Sequence, residues 1–123
     1  MFKKKYLYIK LYVNKIDICF LNTGKCKSSE DNYSDSRILF ADYEKAENLM
    51  RKIIMELFPN KWLLPSFHVL IQQLERIDEG ISTVEKRAII DSCRHGANAK
   101  SVELIVSEIE LSTSEAMLKL TRK

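Results

Sequence analysis

No apolar run in the sequence approaches the roughly 20 residues that a bilayer-spanning helix requires. The opening Met1-Phe2-Lys3-Lys4-Lys5-Tyr6 has the positive flank of a signal peptide, but Lys10 and Lys15 interrupt the apolar stretch that should follow. The chain is therefore expected to stay in the cytoplasm. Cysteine is scarce. Cys19, Cys26 and Cys93 are an odd number at wide spacings, matching neither a disulfide framework nor a C-x-x-C metal pair, so reduced thiols are the expectation. Histidine occurs only at His68 and His95. A zinc site needs several convergent ligands. Cys93 and His95 stand two apart on a helix and point to different faces, while His68 lies in an apolar run, so no metal and no cofactor is expected.

Hydrophobic residues make up 46% and charged residues 30% of the 123-residue chain, the balance of a globule with one core, a single domain spanning residues 1–123. The net charge of +3 is modest but uneven. Lys3, Lys4, Lys5, Lys10, Lys15, Lys25 and Lys27 face only Asp17 over the first stretch. Lysines alternating with apolar residues are the ordinary way to solvate one side of a sheet or blunt its edge. Nucleic-acid binding would instead set them beside Tyr6, Tyr8 and Tyr12 as stacking groups. Those tyrosines share one strand face, but the lysines form no continuous stripe beside them.

Tyr6 to Tyr12 and Ile16 to Leu21 are rich in aromatic and β-branched residues and are separated by Asn14-Lys15, which predicts a β-hairpin. Asn22-Thr23-Gly24-Lys25 reads as a turn, Lys27 to Ser36 as a polar, mobile loop, and Arg37-Ile38-Leu39-Phe40 as a third strand. Beyond Asp42, a helix cap, Ala46, Leu49, Met50, Ile53, Ile54, Leu57 and Phe58 recur at helical spacing until Pro59. Phe67 to Ile71 is a near-continuous apolar run, suited to a central strand covered on both faces. Ser82 with Glu85 forms a capping box for a helix to about His95, and Gly96 supplies its C-terminal turn. Ser101 to Val106 alternates as a strand. Ser112 or Thr113 caps a last helix with Ala116, Met117 and Leu120 on its apolar face. The predicted order, β-β-β-α-β-α-β-α, describes an α/β protein with helices packed on a mixed sheet.

That order is the order of the ribonuclease H-like fold, shared by many nucleases and by the subdomains of actin-like ATPases. Gly80-Ile81-Ser82-Thr83-Val84-Glu85-Lys86-Arg87-Ala88-Ile89 and Gly96-Ala97-Asn98-Ala99-Lys100-Ser101-Val102 resemble a stretch of the bacterial actin-like MreB proteins. Ser36 to Asp42, with Ala46-Glu47, extends the likeness to small YjaA-like single-domain bacterial proteins, with the Lys27 to Ser36 loop the main departure. Actin-like ATPases hold phosphate with an Asp-x-Gly turn after the first strand, where glycine lets the backbone amides approach the nucleotide. Here the turn is Val13-Asn14-Lys15. The resemblance therefore implies a retained scaffold without ATP hydrolysis.

A ribonuclease H-like nuclease clamps two divalent metals between carboxylates, one of them on the first strand. Tyr6 to Tyr12 contains no acid, and Asp17, Glu44, Glu47, Asp78 and Glu115 lie on neighbouring elements. The alternative of a divalent-metal nuclease or nucleic-acid-binding protein lacks that central ligand. The expectation is a non-enzymatic protein-binding domain, either an immunity or antitoxin protein that neutralises a toxin or a stress-related interaction protein of the YjaA-like kind. Candidate partner-binding residues are the acids Glu30, Asp31, Asp35, Glu75, Asp78 and Glu79, which suit a basic toxin. Trp62, in an apolar cluster with Leu63, Leu64 and Phe67, is the aromatic candidate, although Trp is usually highly buried and the floor of the core is its more ordinary place.

Overall fold

Leu7, Ile9 and Leu11 alternate with Tyr8 and Lys10, so a strand through them presents a wholly apolar face on one side and a mixed face on the other. The computed structural model, which describes residues 4–35, 38–59, 66–78 and 80–122, is organised around that strand. The strands are β1 (Tyr6–Tyr12), β2 (Lys15–Phe20), β3 (Lys25–Glu30), β4 (Phe67–Gln73) and β5 (Ala99–Val106). The helices are α1 (Tyr43–Leu57), between β3 and β4, α2 (Thr83–Gly96), between β4 and β5, and α3 (Thr113–Thr121), after β5. The sheet runs β3-β2-β1-β4-β5, with β3, β2 and β1 antiparallel and β1, β4 and β5 parallel.

Register places Ile9 between Ile18 of β2 and Ile71 of β4. This apolar face receives α1 through Ala46, Leu49, Met50, Ile53 and Ile54, and α2 through Ile89 and Cys93, in one buried cluster. Burial pushes the Cys93 thiol up to about 12 and leaves it protonated. The helices meet at Gly96, where an added Cβ would lie 2.8 Å from the Glu47 carbonyl oxygen. The opposite face packs Tyr8, Cys19, Leu21 and Leu70 against Ala116 and Leu120 of α3. Side chains do the capping: Asp42 accepts from the Lys45 amide, and Ser82 with Glu85 and Ser112 with Glu115 form capping boxes.

Three expectations are corrected. The third strand is Lys25–Glu30: of the segment expected there, Arg37 lies outside the described residues, and Ile38 to Phe40 are irregular, with Leu39 and Phe40 buried in the core. β3 escapes a search for apolar alternation because it is an edge strand, bonded on one side and exposed at every residue but half-buried Ser29. The Lys27 to Ser36 segment is therefore no free loop. Its first part is β3, and its second is anchored by Tyr33, fully buried, whose single hydroxyl proton is shared between the backbone carbonyls of Lys15 (2.7 Å) and Tyr12. Finally, Cys19 and Cys26 are directly opposed across β2 and β3 and form a disulfide, leaving Cys93 the free thiol. Spacing along the chain does not reveal the pair; the hairpin register creates it.

Candidate functional site: an acidic groove beside the helices

Two loops converge on the β1–β2 turn. Asn14 takes a left-handed conformation (φ 54°), its amide donating to the Ser34 hydroxyl (3.1 Å) and its side chain accepting from the Ser34 amide (2.8 Å). The neighbouring Val13 amide donates to Glu75 Oε1 at 2.7 Å. Arg76 donates to the Asp35 carbonyl, tying the 75–78 segment to the 31–35 segment. The Val13 and Asn14 amides of this turn already have acceptors, one of them a carboxylate.

The first strand carries Lys10 on its mixed face. Its ammonium lies 3.1 Å from Asp17 Oδ2 and also contacts Glu110. Burial disfavours the charge, but hydrogen bonds to Glu110 and Asp17 hold the ammonium above the ordinary lysine range. Beside it, the Tyr8 hydroxyl donates to Gln72 Oε1 (2.5 Å) and accepts from the Leu111 amide (3.0 Å). Gln72 Nε2 donates to the carbonyls of Ser107 and Ile109, each at 2.8 Å. Asp17 is thus committed to an internal cation, and Tyr8, 1% exposed, has no face open to a base. Among the described residues, no three His, Cys, Asp or Glu side chains are grouped to hold a metal ion.

An open groove of about 810 Å³ lies between the 32–35 segment, the first turns of α1 and the outer side of α2. Asp35, Asp42, Glu44, Glu47 and Asp91 line it, with Arg87 the one Lys or Arg in its wall and His95 at one end. Glu47 bonds Arg51 at 3.0 Å and lies 4.0 Å from His95 Nδ1. Asp42 is committed to capping α1. Tyr43, 52% exposed, and Val84, 68% exposed, give the acidic walls apolar flanks.

Of the partner-binding residues read from the sequence, Asp35 lines this groove. Glu30 ends β3 and Asp31 follows it, while Glu75 is held by the β1–β2 turn and Asp78 lies in the loop before α2. Trp62 and Glu79 lie outside the described residues. The groove's other acids were missed because they sit on the polar sides of two helices far apart in sequence. The available signal was weak: Glu44, Glu47 and Asp91 interrupt no apolar stripe and belong to no catalytic or ligand-binding motif.

No protein-family model matches the chain. Over 88 residues it is 28% identical to a protein of Escherichia coli (strain K12) described as uncharacterized protein YjaA, covering 68% of this chain and 69% of the other. Its structure is similar to the crystal structure of ethanolamine utilization protein EutJ from Carboxydothermus hydrogenoformans, with a TM-score of 0.57 and 13% identity over 87% of this chain. The two chains share a fold over that length. The chain spans only 38% of EutJ, and at that identity the likeness concerns architecture alone. No helix of the described residues is long and apolar enough to cross a membrane.

Proposed function

We propose that the chain is a non-enzymatic protein-binding domain on a ribonuclease H-like scaffold, and that the groove between the 32–35 segment, α1 and α2 receives a basic segment of its partner. The observation that carries this reading is local charge reversal: a protein of net charge +3 gathers five carboxylates around one guanidinium in one open groove. Opposite charge accelerates encounter and fixes orientation, while Tyr43 and Val84 supply the apolar contact that charge alone lacks. Saturation of the Val13 and Asn14 amides supports binding over nucleotide hydrolysis. Neutralisation of Asp17 by Lys10, and burial of Tyr8, support it over the metal-nuclease and nucleic-acid alternatives. A toxin domain with a basic face is a partner of this chemistry, and so is a stress-related partner with a basic segment, the kind of role the YjaA-like resemblance implies for this chain.

Titrating isotope-labelled protein with a lysine-rich peptide carrying leucines should shift amide resonances of 32–35, 43–47 and 84–91. Reversing Glu44 and Asp91, both exposed and neither a helix cap, should weaken that binding by about tenfold or more, mainly through slower association, and the deficit should shrink as salt rises. Equal binding of an acidic peptide, or shifts confined to other surfaces, would overturn the reading.

A further inference from the structure

We infer that the Cys19–Cys26 pair is a thiol–disulfide exchange site whose reduction releases the β3 edge of the sheet. This inference does not depend on what occupies the groove. Cys19 is 3% exposed beneath α3, whereas Cys26 is exposed on the outermost strand, so a reductant reaches only one of the two sulfurs. Beyond its backbone ladder with β2 and its approach to α1, β3 has few side-chain contacts to hold it. Apart from Cys26 its side chains are lysine, serine and glutamate, and the contact of its half-buried Ser29 with Lys52 of α1 is a hydrogen bond of 3.3 Å. The strand is pinned at its ends: Gly24, at φ 80°, closes the preceding turn through the Phe20 carbonyl, and buried Tyr33 anchors the segment that follows. Between those pins, the disulfide adds a covalent link to a ladder bonded on one side only.

The sequence separation is seven residues, so the cross-link closes a short loop and constrains the unfolded chain little. A bond that contributes little as a global staple, yet joins an exposed sulfur to a buried one across an edge ladder, is suited to local control. A thiolate of a dithiol reductant attacks Cys26 Sγ, forming a mixed disulfide and expelling the Cys19 thiolate, which takes up a proton. The second thiol of the reductant then attacks the reductant's own sulfur in that mixed disulfide and frees Cys26. Two electrons and two protons pass to the protein, and the dithiol becomes a disulfide. Cys93, fully buried on the other side of the sheet, stays outside the exchange. Reduction leaves the outer backbone groups of β2 covered only by a strand free to fray.

The test treats the folded, full-length protein with graded ratios of reduced to oxidised dithiothreitol, counts thiols by alkylation and follows amide hydrogen exchange by mass spectrometry. Reduction under native conditions should expose two further thiols, Cys26 alkylating before Cys19, and accelerate exchange of the Lys25–Glu30 amides by about tenfold or more while β1 and β4 are unchanged. A Cys19→Ser/Cys26→Ser variant should show the fast exchange whatever the buffer, and Cys93→Ser should behave as the parent. The inference is overturned by an oxidised protein that still shows three thiols when alkylated after denaturation, by a disulfide that opens only on global unfolding, or by β3 exchange indifferent to reduction.

Discussion

The two faces of the sheet are built on different principles. Beneath α1 and α2 the contacts are apolar almost throughout, Ile9, Ile18, Val69 and Ile71 meeting Met50, Ile53 and Ile89. Beneath α3 the apolar cluster is small, and the buried Tyr8–Gln72 pair, with Lys10 beside it, binds the 107–111 connector to the sheet. The first face is non-directional and tolerates small shifts in helix position. The second is directional: each hydrogen bond has one geometry, so it places the connector and α3 at a cost in desolvation. Substitutions on the first face should therefore change how much stability there is, and substitutions on the second should change what stays ordered.

The largest effect is expected at the centre of the apolar face. Ile9→Ala removes a fully buried side chain flanked by Ile18 and Ile71 and should cost about 2–5 kcal/mol, read by denaturant unfolding. A loss under about 1 kcal/mol would mean that this face is loosely packed and the contrast with the other is false.

Next comes the polar face. Tyr8→Phe keeps the ring but strands Gln72 Oε1 and the Leu111 amide, and should cost about 1–3 kcal/mol. Amide exchange should accelerate first in 107–121, before β1 or β4 responds. Uniform acceleration would show that the network serves global stability rather than placement of α3.

What was legible in the sequence follows the same division. Alternation in β1, the apolar run of β4 and the stripe of α1 all express burial against a continuous core, and the Ser82–Glu85 box is a local device spelled out within four residues. Register was not legible. Cys19 faces Cys26 because the β2–β3 turn sets the pairing, and β3 carries no apolar pattern because an edge strand needs none. The groove was legible only at Asp35, since Glu44, Glu47 and Asp91 come together through the packing of α1 against α2 at Gly96.

Lys10 gives a smaller and pH-dependent effect. Its folded-state pKa is raised by Glu110 and Asp17 against the opposing effect of burial, so its contribution is fully present below the unfolded lysine value and is lost as pH climbs through the folded one. Tyr8, Tyr12 and Tyr33 are raised mainly by burial and add to the same alkaline loss. Stability should thus fall above about pH 10. Lys10→Met should have a shallower alkaline limb and cost about 1 kcal/mol or less at neutral pH, because Asp17 and Glu110, at 21% and 53% side-chain exposure, are rehydrated. Parallel alkaline limbs in the two proteins would remove Lys10 from this account.

The last comparison sets like against like, because the two faces carry helices started by the same device. Ser82→Ala and Ser112→Ala each delete the hydroxyl that accepts an N3 amide, at 3.1 Å in both, and each should cost about 1 kcal/mol within its own helix. The consequences should differ. α2 is tied to the core through Ile89, Cys93 and its approach to α1 at Gly96, so its loss of cap should appear as a lower midpoint of global unfolding. α3 is nine residues long with Ala116 and Leu120 as its buried contacts, so its loss should appear as faster exchange of the 113–121 amides with the global midpoint almost unmoved. If Ser112→Ala lowered the global midpoint as much as Ser82→Ala, α3 would belong to the same cooperative unit as the apolar face, and the hydrogen-bonded connector would be transmitting stability across the sheet rather than positioning a separable helix.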